Sequence, residues 1–179
     1  MYWERFGEEN TEATVKLAIE VAERRGIKNI VVASNMGSTA EMFGGKGLNV
    51  VCVTHVNGFK TPGKCEMDIE TRHRLEAAGI KVLTTTHVLS GAERAFSNKF
   101  AGIYPVEIMA QTLRMFGQGV KVCVEIATMA LDAAMIPYGE SIIAVGGSSR
   151  GADTCLIMKP AHANNILETK IEEIVCKPR

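Results

Sequence analysis

The chain has 179 residues with 20 basic and 20 acidic side chains, so its formal net charge is zero and it lacks the positive field expected of a nucleic-acid or anionic-membrane binder. A hydrophobic share of 46% excludes disorder and lets a single α/β domain over residues 1–179 bury its core without disulfides or a structural metal. The 17 glycines exceed the usual share of about 7%, which points to several turns where backbone bends tightly or approaches a ligand.

Met1–Phe6 is aromatic and charged rather than basic and then apolar, so no signal peptide is expected. Asn10 precedes overlapping apolar faces (Ala13, Val15, Leu17, Ala18, Val21, Ala22) that end at Gly26, which predicts a helix with a polar N-cap and a glycine stop. Asn29–Ser34 and Asn49–Thr54 are short β-branched apolar runs, suited to strands buried on both faces. Between them Gly37–Phe43 reads as a short helical stretch. Glu66–Ala78 is predicted as an amphipathic helix stopping at Gly79, followed by a strand over Lys81–Thr85.

Gly91–Gly102 is a helix or a structured loop, and Pro105 opens a helix to Phe116 as a first-turn proline. In the helix Val120–Met135, Lys121, Glu125, Thr128 and Asp132 form one polar stripe on an apolar cylinder. Those charges, and a length below ~20 residues, exclude a membrane span. Such a stripe is more often a solvent face or a subunit contact than a set of acid or base groups, and the helix's apolar faces allow a homo-oligomer. A strand at Ser141–Val145, a glycine-rich turn at Gly146–Gly151, a strand at Asp153–Met158 and a final strand within Ile171–Cys176 complete the chain. Apolar strands alternating with helices predict an open, mostly parallel sheet. Five widely spaced cysteines with no C-x-x-C pair fit a reducing cytoplasm and give no zinc site.

The strongest site signal is Ser34, Asn35, Met36, Gly37, Ser38 and Thr39, at the junction of a strand with a helix. Free backbone N–H groups there make an anion site, glycine admits close approach, and hydroxyls add donors. The competing explanation is that Ser34 or Ser38 only caps the helix. Gly146 and Gly147 open a second turn after an apolar strand, and if that strand neighbours the first, both turns face one crevice. Arg150 in the same turn is either a ligand contact or solvated. Thr54-His55 and Thr86-His87 end two strands and would stand on the crevice rim, although either histidine alone reads as an ordinary loop residue. Gly58–Cys65 has the G-x-x-x-x-G-K spacing of a P-loop. Cys65 replaces the required hydroxyl and Pro62 removes an N–H, so Val56–Cys65 is read instead as a loop over the crevice with Phe59 as a stacking cover.

The stretch Ile30–Ala40 (IVVASNMGSTA) resembles the T-x-x-G-R-S-A phosphate loop of the pyruvate kinase C-terminal domain. VTHVNGFKTPGK, THVLSGAERAF, LRMFGQGVKV and GGSSRGADT resemble the standalone, archaeal-type pyruvate kinase C-terminal domain-like proteins over nearly the whole chain. The resemblance implies a three-layer α/β/α domain with a mostly parallel sheet of order 3-2-1-4-5. It also implies flavin mononucleotide (FMN) as cofactor, with the phosphate at Ser34–Thr39 and the ring near Thr54, His55, Gly146 and Gly147. Met36 and Ser38 depart from the kinase loop, which sets a sugar bisphosphate aside. The catalytic barrel of a kinase does not fit in 179 residues, so no pyruvate kinase activity is expected. The expectation is thus a protein that binds a phosphate-bearing planar small molecule, FMN in first place, with its catalytic role open and without metal, nucleic acid or membrane. The alternative is a non-catalytic sensor of a sugar phosphate or nucleotide. The roles of His87, Glu125 and Arg150 stay open.

Overall fold

Runs such as Ile30-Val31-Val32 have no polar alternation and can be satisfied only with apolar cover on both sides of a sheet. The computed structural model describes residues 1–179 and shows that arrangement. In chain order the elements are β1 (Tyr2–Trp3), α1 (Thr11–Arg25), β2 (Asn29–Ala33), α2 (Ser38–Glu41), β3 (Asn49–Val53), α3 (Ile69–Ala77), β4 (Lys81–Leu83), α4 (Glu93–Phe100), α5 (Pro105–Arg114), α6 (Gln118–Asp132), β5 (Ile142–Gly146), β6 (Thr154–Lys159) and β7 (Lys170–Pro178). Short 3-10 segments cover Glu8–Asn10 and Ala163–Glu168.

The seven strands form one sheet of order β1-β7-β6-β5-β2-β3-β4. β5, β2, β3 and β4 run parallel, whereas β6 is antiparallel to both β5 and β7. The stretch β4-β3-β2-β5-β6 is the predicted 3-2-1-4-5 order, and β7 with the two-residue β1 extends it at one edge.

Alternate strand residues feed two separate cores. Ile30, Val32, Cys52, Val82 and Val145 pack with Val15, Ala18 and Ala22 of α1 and with Leu75 of α3. Val31, Val51, Val53 and Ala144 face the other way and pack on Val120, Val124, Ala127 and Leu131 of α6. Helices on both sides of the sheet make three layers.

Local signals set the helix ends, with two departures from expectation. Gly26 stops α1 in the left-handed region at φ 66°, but Asn10 turns its side chain back to the Arg5 carbonyl (2.8 Å) instead of capping. α3 starts at Ile69 rather than Glu66, because the Asp68 carboxylate accepts the Thr71 N–H at 2.7 Å and fixes the N-cap there. The α6 stripe is also corrected: Lys121, Glu125 and Thr128 are buried in the chain rather than solvent-facing. α6 lies against β5, β2 and β6, and its apolar residues pack into the core on that side of the sheet. No helix is long and apolar enough to cross a membrane.

Candidate functional site

Parallel register decides which residues meet. Ala33 pairs with Val53, and Val32 pairs with Val145, so Ser34, Thr54 and Gly147 follow side by side where β2, β3 and β5 end. Both turns singled out from the sequence therefore lie at the carboxyl ends of neighbouring parallel strands, the position at which open α/β sheets bind ligands.

The Ser34–Thr39 turn divides its groups between structure and solvent. The buried Ser34 hydroxyl accepts the N–H groups of Thr39 (3.1 Å) and Ala40 (3.4 Å), and the Ser34 N–H is spent on the Val53 carbonyl. Ser34 thus supplies the acceptor for two N–H groups of the first turn of α2, whose N-cap position is Gly37. The N–H groups of the four residues between, Asn35, Met36, Gly37 and Ser38, donate to no group of the protein. Gly37 is required by the backbone, with φ at 90°. Space requires it too, since a Cβ there would lie 2.9 Å from Thr71 Cγ2 on α3.

Thr54 is buried, and its hydroxyl bonds to Thr84 Oγ1 at 2.7 Å, tying β3 to β4. The Asn35 side chain accepts the His55 N–H at 3.1 Å and so ties the first turn to the end of β3. His55 Nδ1 lies 2.6 Å from Oε2 of Glu66, a residue that no sequence pattern singles out. Burial would raise the Glu66 pKa, but hydrogen bonds from Lys60, His55 and Asn35 outweigh it and hold the carboxyl at about 2. An ionised carboxylate can only accept, so Nδ1 carries the hydrogen and Nε2 is left without a protein partner.

Phe59 covers this imidazole with its ring centroid 4.1 Å away, and the His87 ring lies 5.7 Å from that of His55. The loop Val56–Cys65 is held by Lys60, whose ammonium meets Glu66 Oε1 at 2.5 Å. Gly58 N donates to the Lys64 carbonyl, so the segment with P-loop spacing closes on itself. His87 Nε2 accepts the Val56 N–H at 3.3 Å. Burial lowers the His87 pKa and favours the neutral ring, with Glu125 opposing. Glu125 is in turn paired with Lys121 at 2.5 Å and accepts the Leu89 N–H at 3.0 Å, so it props the segment behind His87.

Glycines of the second turn answer to packing. A Cβ on Gly146 would meet the Gly119 carbonyl of α6 at 2.9 Å, and one on Gly147 would meet the Gly151 carbonyl at 2.4 Å. The turn is organised by Asp153, fully buried and also unforeseen. Its Oδ2 accepts the N–H groups of Gly7 (3.0 Å) and Ser148 (3.1 Å), while Oδ1 accepts the Thr154 hydroxyl at 2.7 Å. Arg150 is exposed and makes no ion pair. Burial raises the thiol pKa of Cys52 to about 12 and pushes those of Cys123, Cys155 and Cys176 upward, so none of these four is an activated nucleophile.

The model of the pyruvate kinase alpha/beta domain family matches residues 12–158. Among solved structures, a pyruvate kinase from Cryptosporidium parvum is similar at 17% identity and a TM-score of 0.41, covering 82% of this chain and 22% of the kinase. A second structure of the Cryptosporidium parvum pyruvate kinase is 18% identical with a TM-score of 0.38, over 75% of this chain and 20% of the kinase. A third, in complex with ADP, is 18% identical with a TM-score of 0.41, over 82% and 22%. The chain thus spans about a fifth of the length of these enzymes. With most of its length, including every strand from β2 to β5, inside the matched region, the chain belongs to the pyruvate kinase alpha/beta domain family.

Proposed function

We propose that this protein binds a phosphate-bearing planar ligand, FMN in first place, in the crevice where β2, β3 and β5 end. One observation carries the reading. Four consecutive N–H groups, Asn35–Ser38, have no protein acceptor, and they sit beside a wall of three rings, His55, Phe59 and His87. Successive free N–H groups form a concave anion site without a basic side chain, which suits a chain of zero net charge. The Glu66 carboxylate nearby would repel a phosphate, but Lys60 and His55 are both paired to it. The rings offer flat apolar surface for an isoalloxazine to lie on. His55 Nε2, unengaged by the protein and held in orientation by Glu66, supplies one polar contact at the ring.

FMN at about 100 times its Kd should stabilise the fold by about 2.7 kcal/mol, visible as a higher melting temperature. Riboflavin, which lacks the phosphate, should protect far less. A protein that is colourless as purified and unmoved by added FMN contradicts the proposal. A second reading, a non-catalytic sensor of a sugar phosphate or nucleotide, draws on the Val56–Cys65 loop, whose closed position hangs on Lys60 and Glu66. It requires phosphate esters without a flavin to protect as well as FMN does. We place the work in a reducing compartment such as the cytoplasm on account of the five unpaired cysteines.

A further inference from the structure

We propose that the face built by α4 and α5 is the contact surface of a symmetric dimer of this chain. α4 buries none of its residues, although Phe96 and Phe100 stand one turn apart on one side of it. α5 carries two apolar stripes. Ala110 and Leu113 are spent on the core beside α6, while Ile108 and Met115 point away from it. With Ile103 and Phe116 these make six large apolar side chains, each more than half exposed. At ~150–250 Å² for each large side chain, the exposed part amounts to roughly 600–950 Å². That exceeds the few hundred Å² usual on a monomer and is comparable to the roughly 800 Å² each partner contributes to a standard interface.

The shape and charge of the face select a second copy as the occupant. α4 presents a ridge, Phe96 and Phe100, and α5 borders a groove of about 620 Å³ whose apolar lining of Ile103, Ile108 and Met115 is edged by Arg94, Glu107 and Arg114. A two-fold axis through such a face sets the ridge of each copy into the groove of the other. The rim carries both signs, with Arg94 3.4 Å from Glu107 and with Glu93 and Arg114 alongside. A strongly acidic or basic partner finds no matching field there, whereas a second copy brings reciprocal charges. Zero net charge removes any long-range repulsion between the copies.

The test is the solution mass of the full chain by light scattering after size exclusion, over about 1–100 µM. The wild type is expected at twice the chain mass. Ile103 and Met115 are 80% and 82% exposed, so Ile103→Glu with Met115→Glu leaves the core untouched and should give a monomer with an unchanged far-ultraviolet spectrum. Phe100→Gln, at a site 64% exposed, should weaken the dimer in the same sense. Leu167→Glu, 86% exposed on the segment between β6 and β7, should remain dimeric. A monomeric wild type overturns the proposal, as does a dimer that survives the α4–α5 substitutions.

Discussion

Gly37→Ala tests whether the Ser34–Thr39 turn has the geometry described. At φ 90° an alanine enters the left-handed region, which costs about 1–2 kcal/mol. Its Cβ would also stand 2.9 Å from Thr71 Cγ2 and 3.1 Å from Leu75 Cδ1, and overpacking of that kind costs about 1–3 kcal/mol. The total is about 2–5 kcal/mol, or a melting point lower by about 5–15 °C for a chain of this size. Urea unfolding of the variant, with an unchanged m-value, measures it. Thr71→Ser separates the two contributions, because serine removes Cγ2 yet keeps the hydroxyl that donates to Asp68 at 2.9 Å. In the double variant the steric part should be largely recovered, giving a coupling of about 1 kcal/mol. A loss below about 0.5 kcal/mol for Gly37→Ala, or strict additivity with Thr71→Ser, would refute the reasoning.

Asp153→Ala should cost about 3 kcal/mol or more in urea unfolding, because it strands the Gly7 and Ser148 N–H groups and the Thr154 hydroxyl; a loss under about 1 kcal/mol contradicts the role given to Asp153. Glu66 titrates at about 2 in the folded chain against 4.5 ordinarily, so its stabilisation is complete above about pH 4.5 and is lost as pH falls toward 2. The stability gap between Glu66→Gln and wild type should therefore be widest at pH 6, narrow below about pH 4.5 and close toward pH 2, and a gap equal at pH 6 and pH 2 would count against it. The folded His87 has a lowered pKa, so acidification below its ordinary 6.5 favours the unfolded chain, and His87→Gln should flatten the stability profile below pH 6.5. An unaltered profile in that window would show that His87 is not held neutral.

What the sequence makes legible is what local pattern encodes. Uninterrupted β-branched runs at Ile30 and Val50 name central parallel strands, and Gly26 and Pro105 mark helix ends through backbone constraints that act within a turn. β1 escaped because two residues carry no periodicity, and the anchor of that segment, Trp3 Nε1 donating to the Asp153 carbonyl, joins positions 150 residues apart. Asp153 and Glu66 were missed because neither belongs to a recognisable pattern: Asp153 joins its neighbours Ser148 and Thr154 to the distant Gly7, and Glu66 meets His55 and Lys60 only through the fold of the intervening loop. The stripe of α6 shows the limit of amphipathic reading. Lys121 and Glu125 satisfy each other at i, i+4, so a polar stripe can be buried, and periodicity alone does not distinguish this from a solvated face. At the site, the strand-to-helix position of Ser34–Thr39 was readable, but the division between a capping hydroxyl and four unengaged N–H groups was not.

The central claim is that Asn35–Ser38 receives the phosphate of a flavin nucleotide, and calorimetric titration with FMN and with riboflavin, on wild type and Ser38→Asp, tests it most directly. FMN should bind the wild type, riboflavin should bind much more weakly, and Ser38→Asp should lose the difference by setting a carboxylate beside the phosphate site. Failure of FMN to bind, or equal affinity for FMN and riboflavin in the wild type, would contradict the account.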